Sequence, residues 1–177
     1  EVAPEALELV SRRAAGSLRD SQSLFDQLLA FGEKRVGSED VHRLLGTAPD
    51  DQLLGVVEAL VEHRPGAAIG EFDAALAAGV RLEEFLGQLV ECCRDLMVVA
   101  AGAESIGLQS VGPASHERLV ALATQWGLET AIAALQVLGE TLQKSRGTRQ
   151  SRALADLALV RIATLEKLQE LEGLVAS

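Results

Sequence analysis

The sequence predicts an all-α protein, on three observations. Hydrophobic residues make up 48 % of the 177 residues but aromatics only 3 %, with no tyrosine and a single tryptophan, Trp126. A core of Leu, Val and Ala suits close-packed helices, whereas strand-rich domains draw on β-branched and aromatic side chains. Apolar residues recur at three- and four-residue spacing along most of the chain, and no stretch alternates at period two or repeats.

Taken in order, the first element is a helix with Pro4 in its opening turn and an apolar face of Leu7, Leu9, Val10 and Ala14, ended by Gly16. A second, amphipathic helix starts at Gly16, with Ser17 as N-cap and Asp20 three residues on. It carries Leu18, Leu24, Phe25 and Leu28 and runs to Phe31, with Gly32 as its stop. Ser38 caps a short helix through Val41, Leu44 and Leu45 that Gly46 closes. Together these make a small helical unit, residues 1–48. Pro49 then breaks the pattern and Asp50 is placed to cap the next helix, which marks the domain boundary.

The second domain, residues 49–177, begins with Leu53, Leu54, Val57, Leu60 and Val61 at helical spacing, stopped by Arg64-Pro65-Gly66. An alanine-rich helix over Ala68–Ala78 ends at Gly79 and lets its neighbours approach closely. The run from Leu82 to Ala101 is apolar on more than one side and is expected at the centre. Ser105–Pro113 reads as loop. Ser115 caps a helix through Leu122, Trp126-Gly127 makes a turn with the indole tucked beneath it, and a helix follows over Glu129–Lys144. A last helix carries Leu154, Leu157, Val160, Ile162, Leu165 and Leu168. Its apolar residues cover more than one core-facing stripe requires, so association with other subunits is expected.

Charge and chemistry exclude several classes. A formal net charge of −10 argues against a chain that clamps nucleic acid by itself. The one basic stretch, Lys144–Arg152, reads either as a phosphate-binding patch or as a solvated loop that satisfies the end of the preceding helix. Cys92 and Cys93 are adjacent and lack the spacing of a metal site, which suits buried thiols in a reducing compartment. His42, His63 and His116 are scattered, and no Gly-rich phosphate loop is present. The pairs Asp50-Asp51 and Glu83-Glu84 flank helix starts, where acids are favoured in any case. No catalytic residue and no metal ligand is assigned. With no apolar run of the roughly 20 residues that span a bilayer and no basic-then-apolar leader, a soluble, cytoplasmic protein is expected.

Arg19 stands out because it lies in the first turn of its helix, where a cation opposes the helix dipole. Spacing alone leaves it as a surface arginine or a partner of Asp20 or Asp26. The wording of the stretch says more. Gly16-Ser17-Leu18-Arg19-Asp20, followed by Ser23-Leu24-Phe25-Asp26-Gln27, resembles the second sensor motif in the lid of AAA+ clamp loaders, in the gamma/tau family of bacterial DNA polymerase III. Pro4-Glu5-Ala6-Leu7 and Leu44-Leu45-Gly46 extend the likeness across the lid, and Ala153–Leu165 carries it more weakly near the C-terminus. Ser21 and Gln22 depart from the apolar residues usual after the arginine, which bears on lid packing.

The resemblance implies that Arg19 reaches the phosphates of ATP held by the preceding domain and that Leu18 packs near the adenine. It implies that this ATPase domain, with its phosphate loop and Mg²⁺ site, lies outside these residues, so that ATP and Mg²⁺ belong to the full-length protein and the chain alone is not an enzyme and holds no cofactor. Because Glu1 is not a methionine and falls inside the resembled lid, a longer parent protein is expected. Residues 49–177 would be the collar that joins homologous subunits and further copies of the chain into an oligomer, while the sliding clamp and primed DNA meet other parts. The alternative is a free-standing helical adaptor that binds a partner protein through an apolar groove, with Arg19 structural.

Overall fold

The computed structural model describes residues 2–14, 17–30, 36–103 and 106–165, apart from the side chains of Asp20 and Leu29. Most of these are helical: α1 (Pro4–Arg13), α2 (Leu18–Ala30), α3 (Ser38–Leu45), α4 (Asp50–Val61), α5 (Pro65–Ala77), α6 (Leu82–Ala100), α7 (His116–Trp126), α8 (Leu128–Ser145) and α9 (Ser151–Ala163), with a 3₁₀ turn at Pro113–Ser115. Among the described residues the extended pairing amounts to one parallel bridge between Val2 and Val36, where the Ala3 amide donates to the Val36 carbonyl at 2.9 Å. The fold is all-α, a small helical unit followed by a larger bundle.

Apolar burial falls into two clusters. The smaller joins Ala6, Leu9 and Val10 of α1 to Leu28 of α2 and to Val36 and Val41, with Leu24, Leu44 and Leu45 against it. The larger starts at Ala48 and collects buried faces from α4 to α9. Its axis is α6, which lies against α4, α7, α8 and α9. Phe85, Leu86, Leu89, Cys92, Cys93 and Leu96 of α6 are all fully buried, so the expectation of a central helix apolar on several sides holds. Each such Leu or Phe adds about 1.5–3 kcal/mol of burial. Phe85 stacks on Phe72 of α5, their centroids 5.0 Å apart and the rings nearly parallel.

Several local expectations are corrected. Leu7 is exposed and Ala6 takes its place in the core, because the buried stripe of α1 follows residues 6, 9 and 10. Ser38 is the first helical residue rather than a cap; Gly37 is the N-cap, and its amide donates to Asp40 Oδ2 at 2.9 Å. Asp50 does not cap α4. Pro49 occupies that position, and the Asp50 carboxylate is spent on Arg12 and the Gly112 amide instead. Pro65 and Gly66 open α5 rather than precede it, as expected of a proline whose missing N–H costs a helix start nothing. Ser115 makes no capping bond because the 3₁₀ turn leads directly into α7, and α7 continues to a buried Trp126, past which Gly127 turns at φ 79°.

In α9 the buried stripe is Ala155, Ala158, Leu159, Ile162 and Ala163, while Leu157 and Val160 face outward, as expected of a helix with more apolar residues than one core-facing stripe requires. The expectations at Gly16, Phe31, Gly32, Ser105 and Leu168 lie outside the described residues.

Candidate functional site

The start of α2 is tied to the end of α1 by a hydrogen bond. The Ser17 amide donates to the Ala14 carbonyl at 2.8 Å, and the Ser17 carbonyl then accepts from the amide and the hydroxyl of Ser21, both at 3.0 Å. That double hold fixes the first turn, and its consequence is the placement of Leu18 and Arg19. Both point away from the core. Leu18 is 81 % exposed, unusual for so large an apolar side chain, and Arg19 is exposed beside it. Among the described residues no ion pair ties Arg19 to Asp26, so one of the two structural partners open to it is not used. A groove of about 520 Å³ runs between α1 and α2, lined by Leu7, Val10, Ser11, Ser21, Gln22, Phe25 and Asp26. An exposed guanidinium next to an exposed leucine can take a phosphate and an apolar ring together.

A second polar constellation, absent from the sequence reading, lies where α1 meets the larger bundle. Arg12 Nη2 reaches Asp50 Oδ1 at 3.5 Å, and Arg13 Nη1 reaches Glu91 Oε2 at 3.3 Å. His42 sits in the same seam, its Nδ1 2.9 Å from Thr47 Oγ1. Burial first, and then the nearby Arg13 charge, push its pKa down to about 4, so the ring is neutral at physiological pH. On the α6 side, buried Gln88 holds the Ala48 backbone at both ends, accepting from its amide at 2.7 Å and donating to its carbonyl at 2.8 Å. Asp95, also buried, accepts from the amides of Gln109 and Ser110 and from the Ser110 hydroxyl, each at 2.8 Å. Gln88, Glu91 and Asp95 interrupt an apolar helix at spacings of three and four, and that polar stripe was the available signal.

The remaining sequence candidates have structural partners. His63 Nδ1 meets the Ala163 carbonyl at 3.0 Å and His116 Nε2 meets the Val111 carbonyl at 3.2 Å. Both cysteines are buried; desolvation pushes Cys93 up to about 12 and Cys92 well above its ordinary value. The basic stretch disperses. Lys144 pairs with Glu140 at 3.1 Å, and Arg152 binds Asp73 and Asp156 at 2.8 and 2.9 Å while lying over the Phe72 ring. Among the described residues no group of His, Cys, Asp and Glu could hold a metal ion, and no helix is long and apolar enough to cross a membrane.

Comparison with known proteins resolves the two halves. Residues 1–34 match the ATPase lid domain of the DNA polymerase III clamp loader subunit, and residues 36–177 match domain III of the DNA polymerase III subunits gamma and tau. The chain belongs to the gamma/tau family. It is 36 % identical over 104 residues to the DNA polymerase III subunit tau of Escherichia coli, a stretch covering 59 % of this chain and 16 % of that protein. With the gamma/tau subunit of Mycobacterium tuberculosis it shares 28 % identity over 163 residues, 87 % of this chain and 27 % of the relative. It therefore spans a minor part of the gamma/tau proteins it matches. The fold is similar to that of the Bacillus subtilis DNA clamp loader delta protein, with a TM-score of 0.51 at 16 % identity, covering 92 % of this chain and 51 % of that one. The matched regions are a lid and a domain III, and neither contains a phosphate-loop sequence.

Proposed function

We propose that this chain is the lid and collar of a clamp-loader subunit that uses ATP to load the sliding clamp onto primed DNA. Arg19 is the sensor that contacts the nucleotide's phosphates, and Leu18 packs near the adenine. The observation that carries the reading is the pairing of an exposed Leu18 with an exposed Arg19 at the head of α2, within the segment that matches the clamp-loader lid. Such exposure is costly for a leucine, and it suits a face that another domain covers. ATP and Mg²⁺ would be held by the ATPase domain of the full-length subunit, with this chain supplying one guanidinium. A cation whose anionic partner disappears on hydrolysis provides the differential contact that a nucleotide switch needs.

The division of labour follows the packing. Residues 1–48 form the lid unit and residues 49–177 the collar that joins this subunit to homologous subunits and to further copies. The two apolar clusters separate between Leu45 and Ala48, which supports that boundary; the family models instead meet at residue 35, so α3 packs with the lid although its sequence matches domain III. Contacts with the clamp and DNA would fall to other parts of the subunit, in keeping with the net charge of −10 here.

The test is Arg19→Ala in the full-length subunit. Loss of a charge-assisted contact to phosphate is expected to cost about 1.5–3 kcal/mol in the ATP-bound state. Removing a cation from a helix N-terminus leaves stability unchanged or slightly improved. A variant with normal ATP-dependent clamp loading and a lowered melting temperature would show that Arg19 is structural.

A further inference from the structure

The lid unit and the collar touch along two lines of unlike quality. The first is the connecting segment itself. Arg81, just before α6, donates its backbone amide to the Gly46 carbonyl at 2.8 Å and its guanidinium Nη2 to the Leu45 carbonyl. Gln88, two turns along α6, takes both backbone groups of Ala48, and the Thr47 amide is satisfied by the His42 carbonyl at 3.0 Å. Residues 45–48 are thus laid on the collar's central helix through the Leu45 and Gly46 carbonyls and both backbone groups of Ala48, while the Thr47 amide bonds back to α3. Gln88 is 2 % exposed, and bonds shielded to that degree do not exchange with water cheaply.

The second line, between α1 and the collar, has the opposite character. It consists of the Arg12–Asp50 and Arg13–Glu91 pairs, at 3.5 and 3.3 Å, both longer than a strong charge-assisted bond. Arg12 Nε, Arg12 Nη1 and Arg13 Nε are buried and meet no acceptor among the described residues. A strong ion pair raises the pKa of its cation and lowers that of its acid; here burial wins on both sides, so Arg13 is lowered and Glu91 is raised. Among the described residues no apolar cluster bridges this line. Clefts of about 540 and 360 Å³ flank it, so water can reach these groups once they part.

We infer that the joint is a fixed pivot with a releasable latch. Residues 45–48 stay clamped to α6 by Arg81 and Gln88, while Arg12 and Arg13 engage or leave Asp50 and Glu91 as the lid unit rotates about that clamp. The closed arrangement leaves guanidinium N–H groups unsatisfied, and opening returns them to water; the pivot gains nothing by opening. Arg12 and Arg13 are therefore positioning residues that set the orientation of α1 and, through the hydrogen bond from Ser17 to Ala14, that of α2. This device stands whether or not Arg19 meets a nucleotide.

The 177-residue chain can test it directly. Labels placed at Ser11→Cys on α1 and Gln136→Cys on α8, both exposed positions, report the lid-to-collar distance by pulsed electron spin resonance, the buried Cys92 and Cys93 remaining unlabelled. With native arginines at low salt, one narrow distance is expected. Arg12→Gln with Arg13→Gln, and independently 1 M salt on the native sequence, are each expected to add a second, longer distance, while hydrogen exchange at the Ala48 amide stays within threefold of its original rate. Gln88→Leu is expected to raise that exchange rate at least tenfold. An unchanged distance distribution in both the double variant and high salt would overturn the latch. Opening accompanied by tenfold faster exchange at Ala48 would overturn the fixed pivot. The salt experiment needs no substitution, so a double variant that fails to fold leaves the outcome decidable.

Discussion

At the scale of single residues, burial of polar groups decides most of the chemistry. Gln88 satisfies an amide and a carbonyl that no helix or strand provides for, so Gln88→Leu is expected to destabilise by about 2–4 kcal/mol, each orphaned group costing about 1–3 kcal/mol. Urea unfolding would show it, and a loss below 1 kcal/mol would mean that water replaces the side chain. His42 gives a pH dependence whose sign follows from its depressed pKa. Between about 4 and 6.5 the unfolded chain binds a proton that the folded ring refuses, so stability is full above pH 6.5 and falls as pH drops through that window. For His42→Gln, the loss between pH 7 and pH 5 is expected to shrink by about 2 kcal/mol relative to the native chain. Equal losses in the two proteins would show that the ring is solvated. Cys92 and Cys93, desolvated and held far from thiolate, are expected to react with a thiol reagent only at the rate of global unfolding. Fast labelling in native buffer would contradict their burial.

At the scale of elements, apolar periodicity located nearly every helix, and the errors share a physical origin. Spacing shows that Leu7 lies on a helix but not what covers it, and it turns outward while Ala6 fills the core; on α9 the surplus Leu157 and Val160 stay outside while Ala155 and Ala158 fill the core. Ser38, Asp50 and Ser115 look like caps in sequence because their side chains can cap; tertiary contacts claim Asp50, Gly37 takes the cap before Ser38, and Ser115 holds the N-cap position of α7 without a side-chain capping bond. The family resemblance singled out Leu18 and Arg19, and the structure adds that both are exposed; the seam of Arg12, Arg13, Gln88 and Asp95 escaped notice because its partners stand 38 to 78 residues apart or act on backbone groups. Gly46 was legible as a helix stop, and the structure adds why it must be glycine. Its φ is 67°, and a Cβ there would lie 2.3 Å from Arg81 Nε and 2.8 Å from Arg81 Cγ. Gly46→Ala is expected to cost about 1–2 kcal/mol from the backbone alone, and more because Arg81 must leave the Leu45 carbonyl; denaturant midpoints of Gly46→Ala and Gly46→Ala with Arg81→Ala would separate the two parts.

For the whole molecule, the consequence of a core filled largely by α6 and by alanine-rich faces is that some apolar surface stays outside. Leu128 and Ile132 stand one turn apart at the head of α8 with Val120 on the preceding helix, and Leu157 and Val160 stand three residues apart on α9, all more than a third exposed. None is needed to complete the larger cluster, which closes over Leu159 and Ile162 on the opposite face of α9. On the collar reading these residues meet neighbouring subunits, and a charge placed among them acts on assembly rather than folding. Ile132→Glu and Leu157→Glu are each expected to change stability by under about 0.5 kcal/mol, the usual range for exposed positions. A carboxylate buried without a partner at the interface is expected to weaken self-association at least tenfold. Sedimentation equilibrium at tens of micromolar, run on the native chain and both variants, distinguishes the cases. A native chain that sediments as a clean monomer, and remains one when mixed with a homologous collar, would remove the collar assignment. Association unaffected by either glutamate would place the contact on another face, with the groove between α1 and α2 the next surface to substitute.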